Sequence, residues 1–140
     1  MIIAVFSTVV IGQTKKSKSV KNPVKTQSSK IEPKVFVILQ MNVHDREVYE
    51  QYRIGVEPLI KKYGGKYLVR SGGLSYDDDP DTKLIPVEGG WNPDRLIIIQ
   101  RDSMEQFQNF VKSAEYKKVA ELRAESATTE SVIVREYLKK

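Results

Sequence analysis

Between Lys34 and Leu138 the spacing of the apolar residues changes from two to about 3.6 and back again, twice over. No other feature limits the fold as strongly. A strand buries every second side chain, whereas a helix buries a stripe at every third or fourth position. "KVFVILQMNV" (34–43) is rich in β-branched residues and reads as a strand. Val35, Val37, Leu39 and Met41 share one of its faces. Phe36, Ile38, Gln40 and Asn42 share the other, which turns polar at one end, where a pocket or a capped edge can lie. Asp45 is placed to cap a helix. Val48, Tyr52, Val56, Leu59 and Tyr63 then recur at helical spacing, with Pro58 predicting a kink or break in the last turns. The glycines of "YGG" end this helix, one of them supplying the left-handed residue. Two strands follow, "KYLVRSGG" (66–73) and "DRLIIIQR" (94–101). "SMEQ" (103–106) is a capping box that opens a second helix, with Met104, Phe107, Phe110, Val111 and Ala114 on one face. "SAEY" (113–116) offers a second cap, so the helix is expected to break and restart there and to run through Arg123. "SVIVREYL" (131–138) is the last strand.

The order β-α-β-β-α-β is the split βαβ pattern of the ferredoxin-like α+β fold. It gives a four-stranded antiparallel sheet with both helices on one face. The second face is then bare, yet "VFVIL", "LIII" and "VIV" are apolar on both sides. A second copy of the same sheet is the economical cover, which predicts a homodimer.

Composition narrows the chemistry. The 140 residues suit one domain and a tail. The absence of cysteine excludes disulfides, thiolate metal sites and a cysteine nucleophile, and a single histidine, His44, excludes a His-rich metal centre within one chain. The net charge is +5, of which +6 lies in residues 1–34, leaving −1 for the rest. The folded part is thus nearly neutral, which argues against nucleic-acid binding. No run approaches the roughly 18 apolar residues of a membrane span. "MIIAVFSTVVIGQT" (1–14) resembles the apolar core and cleavage region of a secretory signal peptide, without a basic segment before it. Export with cleavage near residues 12–14 is expected; a cytoplasmic location is the alternative. The Lys/Ser-rich stretch over 15–33 reads as a disordered linker, so the domain is placed at 34–140.

"YGGKYLVRSGG" (63–73), "EGGWNPDRLIII" (88–99), the Ser103-headed helix, "SAEYKK" (113–118) and Arg123 together resemble the small bacterial family catalogued as domain of unknown function 1330. The resemblance covers nearly all of 34–140. It implies a ferredoxin-like protomer and an α/β barrel formed by two protomers. Relatives in the dimeric α/β-barrel superfamily include cofactor-free monooxygenases, haem-binding and haem-degrading enzymes, isomerases and ligand sensors. The resemblance therefore implies a fold and leaves the activity open. This chain departs from the family pattern in a longer connection over 74–87. It also carries Gln100 and Arg101 where an acidic–aromatic–proline sequence is more usual.

Several residues are candidates for chemistry. Arg70 and Arg95 fall near the ends of the second and third strands, where two guanidiniums can bind a carboxylate or phenolate bidentately. A structural pair with Glu88, Asp94 or another acid is the competing reading. Trp91 can stack on a ligand at a pocket mouth, or plug the barrel end. Tyr52 and Tyr116 can hydrogen-bond a ligand, or serve the core. Arg123 joins the ligand-binding set through the resemblance. His44, as an imidazole, can serve as a general base or ligate haem, but a strand-to-helix turn is commonly surface. Asp77, Asp79, Asp81 and Glu88 stand at positions one, three, five and twelve of a calcium-loop count. Thr82 replaces the turn glycine and Pro80 stiffens the loop, so a solvated acidic insertion is the preferred reading and no metal or cofactor is expected. Three functions follow: a homodimeric module binding or sensing a small anionic or aromatic molecule between helices and sheet; a cofactor-free oxygenase or isomerase with His44 or Tyr52 as its base; and a structural dimer without ligand.

Overall fold

The computed structural model describes residues 31–72 and 83–139, together with Gly12. Apart from Gly12, the leader expected over 1–14 lies outside the described residues. So do most of the linker expected over 15–33 and the loop carboxylates Asp77, Asp79 and Asp81. Strand β1 spans Val35–Val43, helix α1 Arg46–Lys62, β2 Lys66–Gly72, β3 Arg95–Arg101, α2 Met104–Lys112, α3 Ala114–Ser126 and β4 Ala127–Arg135. The strands lie in the order β2-β3-β1-β4, and every pair is antiparallel. This is the ferredoxin-like α+β topology. Among the described residues no helix is long and apolar enough to cross a membrane.

The alternation in β1 decides where the core sits. Val35, Val37, Leu39 and Met41 are buried, while Phe36, Ile38 and Gln40 are half-buried and Asn42 is exposed. β3 repeats the pattern, with Arg95, Ile97, Ile99 and Arg101 buried and Leu96, Ile98 and Gln100 half-buried. The buried faces meet Tyr49, Tyr52, Val56 and Ile60 from α1, Phe110 from α2 and Ala127 from β4. A large-to-small change in such a core, Ile99→Ala for instance, costs about 2–5 kcal/mol. The opposite sheet face carries Phe36, Ile38, Leu96, Ile98, Val132 and Val134, and the last two are 57% and 43% exposed.

Side chains stop and start the helices as their chemistry dictates. Asp45 accepts from the Val48 N–H at 3.0 Å and opens α1. The helix passes through Pro58 to Lys62; Pro58 lacks the N–H that would bond the carbonyl of the exposed Ile54. Its buried stripe is Tyr49, Tyr52, Val56 and Ile60, so the face is turned about one residue from the expected stripe, and Leu59 and Tyr63 sit at its margin. The chain then reverses at Gly64, whose φ of +72° is a left-handed conformation suited to glycine. Ser103 caps α2 by accepting from Gln106 N at 3.1 Å, but Gln106 reaches back to the Asp102 N–H, one residue earlier than a capping box requires. Ser113 breaks the second helical segment as expected. Its extended backbone (φ −64°, ψ 141°) ends α2, and its hydroxyl accepts from Tyr116 N to start α3. β4 begins at Ala127, four residues before the apolar pattern announces it. "ATTE" has no apolar alternation, but its backbone pairs with the end of β1 from Val43↔Ala127 onward.

Candidate functional site

A cavity of about 230 Å³ lies between the helices and the sheet. Its walls are apolar: Val37 and Leu39 from β1, Val56 and Ile60 from α1, Ile99 from β3, and Phe107, Phe110 and Val111 from α2. Its polar groups are Tyr52, Tyr116, Arg101, Arg123 and Ser131, and among the described residues no carboxylate lines it. Three residues singled out in the sequence, Tyr52, Tyr116 and Arg123, therefore meet in one place.

The Arg123 guanidinium carbon stands 5.7 Å from the centre of the Tyr52 ring. Burial works against its charge, but Tyr52 and Tyr116 beside it more than offset this and hold its pKa above the ordinary arginine value. Burial pushes the Tyr52 hydroxyl far above the usual tyrosine range, with Arg123 pulling the other way. Tyr52 is thus a neutral hydrogen-bonding group at physiological pH and not a phenolate base.

Arg101 has no role in the motifs of the sequence. It ends β3, is 1% exposed, and has a Phe110 ring centre 4.3 Å from its guanidinium carbon. Nη1 donates to the Tyr63 carbonyl at 2.6 Å. Nε is buried without a partner. Burial draws its pKa below the ordinary arginine value, with Tyr116 and Tyr67 opposing the shift. No acidic side chain among the described residues forms an ion pair with it. Gly65 makes room for it, since a Cβ there would stand 3.1 Å from the guanidinium carbon and closer still to Ile60. A signal for Arg101 was present in the sequence: the period of two that buries Ile97 and Ile99 carries Arg95 and Arg101 onto the same face.

The other candidates fall elsewhere. Arg70 and Arg95 do converge, beside Tyr49, Tyr52 and Tyr67, but around a space of only about 30 Å³. Arg70 pairs with Glu57 of α1 at 3.3 Å, an acid other than Glu88 or Asp94, and its guanidinium carbon stands 5.3 Å from the Tyr67 ring centre. Arg95 is buried with its guanidinium carbon 5.6 Å from the Tyr49 ring centre. Asp94 accepts from the Val43 N–H at 2.7 Å. Trp91 lies on the opposite face of the sheet from the cavity, donating to Gln40, which in turn donates to Glu130. With Ile38, Leu96 and Val132 these residues line an open groove of about 220 Å³ at the polar end of that face. His44 is exposed and lines neither cavity; its backbone N–H donates to the Ser126 carbonyl. Glu88 is exposed, and among the described residues no group of three metal-ligating side chains stands together.

The topology and the cavity between helices and sheet define a ferredoxin-like α+β protein. The chain belongs to the family described as domain of unknown function DUF1330, whose model matches residues 34–137. Comparison with curated proteins gives no match. Among solved structures, a protein of unknown function from Rhodopseudomonas palustris is similar at 15% identity and a TM-score of 0.59, over 78% of this chain and 85% of that one. SnoaB, a cofactor-independent oxygenase from Streptomyces nogalater, is similar at 10% identity and a TM-score of 0.52, over 76% and 96%. A dimeric ferredoxin-like protein of unknown function from Thermobifida fusca is similar at 12% identity and a TM-score of 0.52, over 74% and 92%. At these identities the likeness is one of fold.

Proposed function

We propose that this chain is a homodimeric binding domain that takes a small molecule into the cavity between its helices and its sheet. The observation that carries the reading is the composition of that cavity. Apolar walls enclose a few convergent polar groups, which is the make-up of a ligand site rather than of an imperfectly filled core. At about 230 Å³ it falls below the roughly 300–1,000 Å³ of drug-sized pockets, so its ligand is small: one aromatic ring or a short acyl chain. The apolar sheet face supports the homodimer, as does the dimeric state of the Thermobifida fusca protein of the same fold.

A cofactor-free oxygenase or isomerase needs a base at its substrate. Among the described residues neither His44 nor any carboxylate lines the cavity, and burial keeps Tyr52 protonated. Binding without turnover is the reading these groups support.

A thermal-shift screen of the protein against aromatic acids, quinols, haem and calcium tests it, with Val111→Trp in parallel to fill the cavity. A ligand at ~100 times its Kd stabilises by about 2.7 kcal/mol, several degrees for a domain of this size. The expected hit raises Tm in the wild type and not in Val111→Trp. A panel that shifts nothing overturns the reading and favours a structural dimer.

A further inference from the structure

We propose that the ligand of this cavity is an organic monoanion, a carboxylate or phenolate on a small apolar body. Its charged oxygens are held by the N–H groups of Arg101 that no atom of the described residues takes. The inference rests on the reading of the cavity as a binding site and adds the chemical class of the ligand.

Two guanidiniums, Arg101 and Arg123, line one cavity, and among the described residues no carboxylate lines it with them. A cation removed from water is costly unless an opposite charge and hydrogen bonds answer it. Arg70 shows how the same fold ordinarily answers it, by pairing with Glu57. Arg101 is more deeply buried than Arg70 and has no such partner among the described residues. Its side chain makes one hydrogen bond, to the Tyr63 carbonyl, out of the five N–H groups a guanidinium offers. Nε is left orphaned in the interior.

Geometry supplies the remaining specificity. The Phe110 ring beside the guanidinium and the bond to the Tyr63 carbonyl position it, and Gly65 leaves room for it. The fork is therefore held in place before a ligand arrives, which favours planar, bidentate anions. The Tyr52 and Tyr116 hydroxyls beside Arg123 can hydrogen-bond the same oxygens or a polar substituent. The surrounding Val37, Ile99, Phe107 and Val111 accept a ring or a short chain and reject a second charge.

Calorimetric titration of the full chain with benzoate, hexanoate and the neutral isostere benzamide tests the inference, together with the ¹⁵N–¹H signal of the Arg101 Nε. Benzoate or hexanoate binds at least tenfold tighter than benzamide and shifts the Arg101 Nε–H resonance. Arg101→Met brings the anion's affinity down to that of benzamide. Lys118→Ala, which removes an exposed cation from the same helix as Arg123, leaves it unchanged. Should Arg101→Met fail to fold, the wild-type resonance and the charge-retaining Arg101→Lys, expected to lose affinity through its missing fork, still decide the matter. Equal binding of benzoate and benzamide, lost in Val111→Trp, overturns the anion and leaves the binding site standing. No binding by any of the three, together with a blank screen, removes both. An anion that binds without moving the Arg101 signal also overturns the proposal.

Discussion

Arg70 and Arg101 point toward the same side of one sheet and differ in what answers their charge. Arg70 faces Glu57 with both side chains partly in water, so the pair is worth about 0–1 kcal/mol. Arg70→Ala is expected to lower stability by less than about 1 kcal/mol in a urea titration, and to leave ligand binding intact. Arg101 has no acid to lose among the described residues. Removing a buried cation that no acid answers also removes its desolvation cost. Ligand-free Arg101→Met is therefore expected to melt at or above the wild-type Tm, read by calorimetry. A fall of several degrees would make Arg101 a structural residue. Alternation alone was enough to put Arg95 and Arg101 on the buried face. It carried no information on which arginine of that side would find a carboxylate: Arg70 pairs with Glu57, which lies on a helix whose rotation depends on tertiary packing. Tyr52 was legible as a buried ring for the opposite reason: it falls within the helical stripe under either rotation of α1.

The elements were legible where a local interaction defines them. Asp45, Ser103 and Ser113 are caps that need only their own next turn, and each accepts the expected amide. Ser113 also donates to the Phe110 carbonyl at 2.7 Å, so one hydroxyl closes α2 and opens α3. Ser113→Ala is expected to cost about 1 kcal/mol in urea unfolding, with little change in m-value. Elements defined by distant partners were less legible. The first half of β4 is held by pairing with β1 and has no pattern of its own. The α1 face is set by which of several apolar residues the sheet accepts. The pair between Lys62 of α1 and Glu115 of α3 was invisible in the sequence for the same reason. Hydrogen bonds from Lys62 and Tyr63 hold the Glu115 carboxyl below its ordinary value, and the bond to Glu115 raises Lys62. A depressed carboxyl contributes stability above its unfolded pKa and loses it as pH falls through the folded value. A raised lysine loses its contribution only as pH rises through its own folded value, above the ordinary 10.5. The Tm deficit of Glu115→Gln relative to wild type is thus expected to be flat from about pH 6 to 9 and to shrink below the ordinary carboxyl value of 4.5.

At the scale of the molecule, the sheet has one face committed to the helices and one apolar face on which Val132 and Val134 are exposed. The proposed dimer covers that second face. Ile98 lies between Ile38 and Val69 in the register, at the middle of the sheet, so a charge there strikes the centre of the contact. In sedimentation at micromolar concentration the wild type is expected at twice the mass of one chain, and Ile98→Asp at the mass of one chain with unchanged circular dichroism. A monomeric wild type would remove the dimer and leave the cavity, which lies on the other side of the sheet. That separation also frames the most direct test of the central claim, a methyl-NMR titration with the strongest hit of the thermal screen. The account predicts that the methyl signals of Val37, Ile99 and Val111 shift together while those of Ile38 and Ile98, on the far side of the sheet, stay in place. Shifts confined to Ile38 and Ile98, or no shift at a saturating concentration of a stabilising compound, would contradict it.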